Sequence, residues 1–323
     1  MDETALIDSL ENNRIAGAGL DVTACEPIES DNRLLSLSDK VVLTPHNAAS
    51  TEDALKRMCM HAAKNLDDYL TAKYIERAGV DMILVGDSLG MVQLGYETTY
   101  PVTMEDMVSH TATVRRGAPN TFIIGDMPYM SYQTSNEEAV HNAGRLTKEA
   151  LCDAIKLEGG GEEICKHIKA IASVDILVFG HIGLTPQFAA QMGGYKAQGK
   201  SMEAAQKLLD EALRIQEAGA CAILVEGVPE IVGKQITEKL SIPVLGIGAG
   251  SYTHGQLLIY ADMAGYYDNF CPKFVKKYAE IGKELERAFK EYVDDVHAGR
   301  FPVDGVHTYK ISDEERAKIE ALM

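Results

Sequence analysis

The sequence has no run of about eighteen apolar residues, so no membrane-crossing helix is expected. It is also short of positive charge. Against 48 Asp and Glu there are only 31 Lys and Arg, a formal net charge of −17, which argues against nucleic acid and anionic membrane as partners. A small anionic substrate stays open, because one metal ion or one lysine inverts the field locally. None of the six cysteines forms a CxxC pair, which speaks against a zinc site and for a reducing compartment. The first residues, MDETALIDSLENN, are acidic and polar, unlike a secretory signal. We therefore expect a cytoplasmic protein, an organellar location staying open. No G-x-G-x-x-G follows a strand, so NAD is not expected.

What is present is a repeated unit. The 323 residues, 46% apolar and 24% charged, suffice for one large barrel or two domains. Within VDMILVGDSLGMVQLG (80–95), Met82–Val85 reads as a strand buried on both faces, and it runs into Gly86–Asp87–Ser88–Leu89–Gly90. A carboxylate there is costly unless something pairs with it. Similar strands are expected at Thr121–Gly125, Ala154–Leu157, Ile176–Phe179, Ala222–Val225, Val244–Ile247 and Leu257–Tyr260, with helical segments between them. Their ends read GDS, GDM, LEGG, GHIG, VEG and GIGAG. Polar and glycine residues gathered at successive strand ends fit the active face of a TIM (β/α)8 barrel better than the single switch point of a doubly wound sheet.

Strand alternation sharpens this. Lys156 and Glu158 share a face opposite Ile155 and Leu157, so the polar pair points into the barrel. Glu226 takes the last inward position of its strand, and Asp87 and Asp126 hold matching strand ends. Four carboxylates this close would raise each other's pKa values. A divalent cation is one remedy, and oxygen-only ligands favour Mg2+ over zinc. The other is a structural network with Lys156, Arg115 or His181, and both readings stay open here. GIGAG (246–250) lacks the Lys-Ser/Thr of a phosphate loop and reads as close backbone approach to a ligand. Arg115–Arg116 reads as a solvated helix end. Phe274–Val296 reads as an amphipathic helix outside the barrel, and the tail 311–323 as a polar helix.

Ahead of the repeats, residues 4–13 look helical, while 15–22 and 40–44 look like strands. A long helix through Met58, Ala62, Leu66 and Leu70 is expected to reach Gly79. AGAGLDVTACEP and VVLTPHNAASTEDALKRM resemble the C-terminal end of D-isomer-specific 2-hydroxyacid dehydrogenases, a Rossmann-type domain. The resemblance implies that Glu26 orients a catalytic His46, with Asp21 near a nicotinamide. With no dinucleotide fingerprint and no matching upstream Arg, these residues read as remnants.

A second resemblance is longer. VDMILVGDSLGMVQLGYETTYPVTMEDM, RRGAPN, IIGDMPYMSYQ, KLEGG, GHIGLTPQ, GGYKAQGK, VEGVP, IPVLGIGAG and PKFVKKY are similar to ketopantoate hydroxymethyltransferases over about residues 68–302. It implies a TIM barrel and transfer of a one-carbon unit from 5,10-methylenetetrahydrofolate to an α-keto acid, the first committed step of pantothenate synthesis. It implies Mg2+ ligands at Asp87 and Asp126 with Glu158 in the outer sphere. Ser88 and Lys156 would join Asp87 and Asp126 in holding the keto acid, and Glu226 would be the catalytic acid/base. His181 takes a supporting role, a satisfied core histidine being the equal alternative. A homo-oligomer is implied as well.

The chain departs from the pattern at His254, where Asp is usual, at Ala261, where His is frequent, and at its start. The family's N-terminal helix and first strand have no counterpart before Asp68–Lys73. We therefore expect a dehydrogenase-like segment (1–70), a barrel (71–323), and Lys40–Thr44 standing in for the first strand. The alternatives are a catalytically impaired hybrid that keeps the metal ligands, with an open slot beside Asp87, and, more distantly, a dehydrogenase remnant.

Overall fold

The structure, a computed structural model, describes residues 3–12, 14–20, 28, 32–37, 40–43, 61–64, 69–189, 192–268 and 270–322. Asp21, Glu26 and His46 lie outside them. The chain divides into two compact units, 1–257 and 258–323. Among the described residues no helix is long and apolar enough to cross a membrane.

Ten strands are described: β1 (Ala18–Leu20), β2 (Val41–Leu43), β3 (His61–Lys64), β4 (Met82–Val85), β5 (Phe122–Asp126), β6 (Ala154–Glu158), β7 (Leu177–Gly183), β8 (Ala222–Glu226), β9 (Val244–Ile247) and β10 (Gly255–Ile259). The last eight close a barrel in the order β10-β3-β4-β5-β6-β7-β8-β9. Parallel strands carry helices on their outer faces, so both faces are dry, and β4, β6, β8 and β9 are buried along their whole length.

Register confirms which residues face inward. Asp126 lies beside Lys156, Lys156 beside Phe179, Glu158 beside His181, and Gly183 beside Glu226. Neighbours in a parallel sheet share a face, so one layer of the interior is polar. Two turns of the pleat below Asp126, Phe122 meets Phe179 with ring centroids 6.3 Å apart. Outward positions touch helices. A Cβ on Gly180 would lie 2.5 Å from Ile215 Cγ2 of the helix Met202–Glu217, so only glycine fits there. The helices start where short polar residues allow it: Thr103 and Asp106 form a capping box for Met104–Gly117, and Ser135 and Ser201 cap Asn136–Glu149 and Met202–Glu217.

Two expectations fail at the start of the chain. Residues 40–44 do not complete the barrel: β2 pairs in parallel with β1, Val41 beside Ala18 and Leu43 beside Leu20, in a separate two-stranded sheet. Ile7, Leu10, Leu20, Leu34 and Val41 form a small core of its own there. The missing first strand is His61–Lys64, paired with β4 through Ala62–Met82 and Lys64–Leu84. The expected long helix is thus interrupted at Ala62, and only Tyr69–Ala78 is helical among its described residues. HAAK has good helix formers. An eight-strand closure that removes two unpaired edges overrides that local preference, and with β3 in place the slot expected beside Asp87 is filled.

Arg115 also differs from expectation. It is not a solvated end. Its guanidinium donates to the carbonyls of Leu151 (2.8 Å), Thr121 (3.0 Å) and Pro119 (3.2 Å) and pairs with Asp153. Asp153 in turn accepts from the Ile123 N–H at 2.7 Å. The arrangement ties the entry of β5 to the entry of β6, at the end of the barrel away from the acids.

In the second unit, helices run over Tyr260–Met263, Ile281–His297 and Asp313–Glu320. No residue of Ile281–His297 is buried, and Phe289 stays 67% exposed.

Candidate active site

The carboxyl ends of β4 to β8 bring the expected residues together. Asp87 follows β4, Asp126 ends β5, Lys156 and Glu158 share the inner face of β6, His181 lies on β7 and Glu226 ends β8. Ser88 is buried beside Asp87. Carboxylate oxygens of Asp87, Asp126 and Glu158 lie within 4.8 Å of one another.

Buried charges persist only if paired, and the pairing here is specific. Lys156 Nζ donates to Asp126 Oδ1 at 2.6 Å and to Glu158 Oε1 at 3.2 Å, with these side chains at most 1% exposed. Asp126 Oδ2 accepts from the Asp87 N–H at 3.0 Å. Asp87 Oδ2 accepts from Gln187 Nε2 at 2.9 Å, and Glu158 Oε2 from the Gln187 N–H at 2.9 Å. With all groups ionised, three carboxylates and one ammonium leave two negative charges at the barrel mouth.

The titration behaviour follows. Burial and the negative charges of Asp126 and Glu158 push the Asp87 carboxyl well above the usual range, with Lys156 and Gln187 opposing. Burial pushes Glu158 the same way, but the Lys156 ammonium, His181 and the Gln187 N–H outweigh it and bring Glu158 down to about 2. Burial opposes the charge on Lys156, yet the three acids raise its pKa and keep it an ammonium.

His181 lies between two acids. Its Nδ1 is 3.3 Å from Glu158 Oε1 and its Nε2 is 3.3 Å from Glu226 Oε2, separations of ion-pair length whose angles are poor for hydrogen bonds. The Glu226 side chain is 9% exposed, more open to the mouth than Asp126, Lys156 or Glu158.

A divalent cation fits this donor set. The ligand atoms are oxygens, the set carries two excess negative charges once Asp87 is ionised with the others, and the oxygens span little more than the about 4.2 Å between opposite ligands of an ion with about 2.1 Å bonds. Among the described residues no hydrogen bond reaches Asp87 Oδ1, whereas both Glu158 oxygens already accept one. Arg115, named as a possible structural partner, pairs with Asp153 instead.

Two residues escaped sequence reasoning. Gln187, in the short helix Pro186–Phe188 after β7, and Tyr132, in the loop after β5, are almost fully buried among the acids. They stand inside GHIGLTPQ and GDMPYMSYQ, yet a search for ionisable residues passes over neutral ones. The GIGAG glycines have a local use: a Cβ on Gly246 would lie 2.7 Å from Thr253 Oγ1, and one on Gly250 2.6 Å from Glu230 Cβ. At His254, Nδ1 accepts from the Val244 N–H at 3.0 Å, a bond that helps seat β10 beside β9. Ala261 is fully buried.

Residues 44–304 match the sequence profile of the family described as ketopantoate hydroxymethyltransferase, starting earlier than the quoted motifs and so including β3. Residues 1–48 match that of the NAD-binding domain of D-isomer-specific 2-hydroxyacid dehydrogenases. The 3-methyl-2-oxobutanoate hydroxymethyltransferase of Alkaliphilus metalliredigens is 56% identical over 77% of this chain and 87% of its own length. That of Clostridium acetobutylicum is 54% identical over 76% and 88%. Among solved structures, 2,3-dimethylmalate lyase, a member of the PEP mutase/isocitrate lyase superfamily, aligns with TM-score 0.52 at 15% identity over 85% of this chain and 94% of its own, a likeness of fold alone.

Proposed function

The chain belongs to the ketopantoate hydroxymethyltransferase family and is an enzyme of that type; on that premise we propose that its barrel mouth converts 3-methyl-2-oxobutanoate to 2-dehydropantoate. The one-carbon donor would be 5,10-methylenetetrahydrofolate. The carrying observation is the buried set of Asp87, Asp126 and Glu158, whose carboxylate oxygens lie within 4.8 Å of one another with Lys156 beside them.

Asp87 and Asp126, with Glu158 behind them, would hold an Mg2+, which when bound would supply Lewis-acid polarisation of the ketone. Glu226 takes the proton from C3 of the keto acid, being the acid most open to the mouth. His181, whose Nε2 lies 3.3 Å from Glu226 Oε2, takes the supporting role beside it. Lys156 supplies fixed positive charge that offsets the negative charge developing on the substrate oxygen. Ser88 lies beside Asp87 and orients the substrate carboxylate. In net terms the C3–H bond is replaced by a C3–CH2OH bond, water supplies the hydroxyl and tetrahydrofolate leaves. Tyr100 and Tyr129, from the loops after β4 and β5, pack with ring centroids 4.9 Å apart and planes tilted by 41°, and would offer a partly exposed aromatic surface to the planar pterin. Residues 1–43 carry no step of this chemistry, and NAD has no part in it. The assembly is a homo-oligomer, which light scattering tests.

Product formation measured with and without Mg2+, for the natural chain and Glu226→Gln, tests the reading. Turnover should depend on Mg2+ and fall at least about 100-fold in the variant. Equal turnover in Glu226→Gln would remove Glu226 from the mechanism, and equal turnover in EDTA would remove the metal.

A further inference from the structure

A neutral residue holds two of the three acids, as the lysine does. Gln187 is 1% exposed. Its Nε2 donates to Asp87 Oδ2 and to the Met127 carbonyl, both at 2.9 Å, so each amide hydrogen is used. Its backbone N–H donates to Glu158 Oε2 at 2.9 Å. Its Oε1 accepts from the Tyr132 hydroxyl at 2.7 Å and from Gln133 Nε2 at 3.4 Å. The Tyr132 oxygen in turn accepts from the Glu158 N–H at 3.2 Å.

These bonds leave the amide one orientation. Reversed, it would turn its carbonyl oxygen toward the Asp87 carboxylate and the Met127 carbonyl, two acceptors with no hydrogen to share. We propose that Gln187 is a positioning residue. Locked by Tyr132, it holds Asp87 through its side chain and Glu158 through its backbone, so that the two acids present a fixed set of oxygens to a divalent cation. This rests on the metal-site reading above. Gln187 reaches Asp87 across 100 residues of sequence, and no other described side chain donates a hydrogen bond to both Asp87 and a backbone group at the end of β5. The partners that orient metal ligands set affinity by about 10–100-fold in other sites, and that range is the expectation here.

The test is calorimetric titration of MgCl2 onto the full chain without substrate, for the natural protein, Gln187→Leu and Tyr132→Phe, each checked for folding by circular dichroism. Turnover is then measured against Mg2+ concentration. Gln187→Leu should weaken Mg2+ binding by about 10–100-fold, and turnover should recover toward the natural value at saturating Mg2+, because the residue acts through Asp87 and Glu158 and not on the reacting atoms. Tyr132→Phe keeps Gln187 but frees its amide, and should weaken binding by a smaller factor, several-fold. If Gln187→Leu fails to fold, Tyr132→Phe decides alone, and an unchanged dissociation constant in it overturns the proposal. A folded Gln187→Leu that binds Mg2+ within twofold of the natural protein also overturns it, while leaving the metal site standing. A natural protein that binds no Mg2+ overturns both.

Discussion

Replacing Lys156 with methionine keeps the length of a buried side chain and removes the only cation bonded to Asp126 and Glu158 among the described residues. Removing one partner of a buried ion pair costs about 3–5 kcal/mol, because the charge left behind has neither water nor counterion. Against a total stability of about 5–15 kcal/mol, that is a large share. The pH dependence carries a second signature. Glu158 falls from 4.5 unfolded to about 2 folded, with burial opposing and Lys156 the largest of the groups that outweigh it. A depressed carboxyl contributes stability that is full above the unfolded value and lost as pH drops through the folded one. The gap between 4.5 and about 2, at about 1.4 kcal/mol per pH unit, contributes about 3–4 kcal/mol. Asp87 acts with the opposite sign: its folded value lies above 3.8, so its contribution shrinks as pH rises past 3.8. Lys156→Met should therefore lose about 3–5 kcal/mol at pH 7 in EDTA, and should no longer lose the Glu158 contribution between pH 5 and 2. Urea unfolding followed by circular dichroism at several pH values measures both, since the chain has no tryptophan to report. A variant within about 0.5 kcal/mol of the natural protein at pH 7, with an unchanged acid limb, would refute the argument that Lys156 holds this cluster together.

Gly183→Ala should be both unstable and slow. Gly183 has φ +91°, and a Cβ there would lie 2.2 Å from the Glu226 carbonyl oxygen, so the end of β8 must shift; a loss of more than about 2 kcal/mol with reduced turnover is expected, and a thermal midpoint equal to the natural one would contradict it. Arg115→Met leaves three carbonyls and Asp153 without their donor. It should cost about 2–3 kcal/mol while KM for the keto acid stays unchanged, because this cluster lies at the far end of β5 and β6; a selective rise in KM would argue otherwise.

Much of the barrel was legible in the chain itself. Met82–Val85 and Val244–Ile247 were expected within the bounds observed, because strands covered on both faces need unbroken apolar runs. The two-residue pleat alone puts Lys156, Glu158 and Glu226 on the inner face. The family motifs were readable for the same reason, since their acids and glycines sit at strand ends that cannot drift. Tertiary structure decided what depends on partners distant in sequence. His61–Lys64 became a strand only because Met82–Leu84 offered it an edge and the ring had to close. Arg115 turned to the carbonyls of Thr121 and Leu151 instead of water because folding brings those groups within hydrogen-bond reach of its guanidinium. Gln187 and Tyr132 carry no charge and no periodic signal, and they acquire meaning only from acids up to 100 residues away. Sequence fixes which groups can bond, while folding decides which are left within reach of one another once water has been removed.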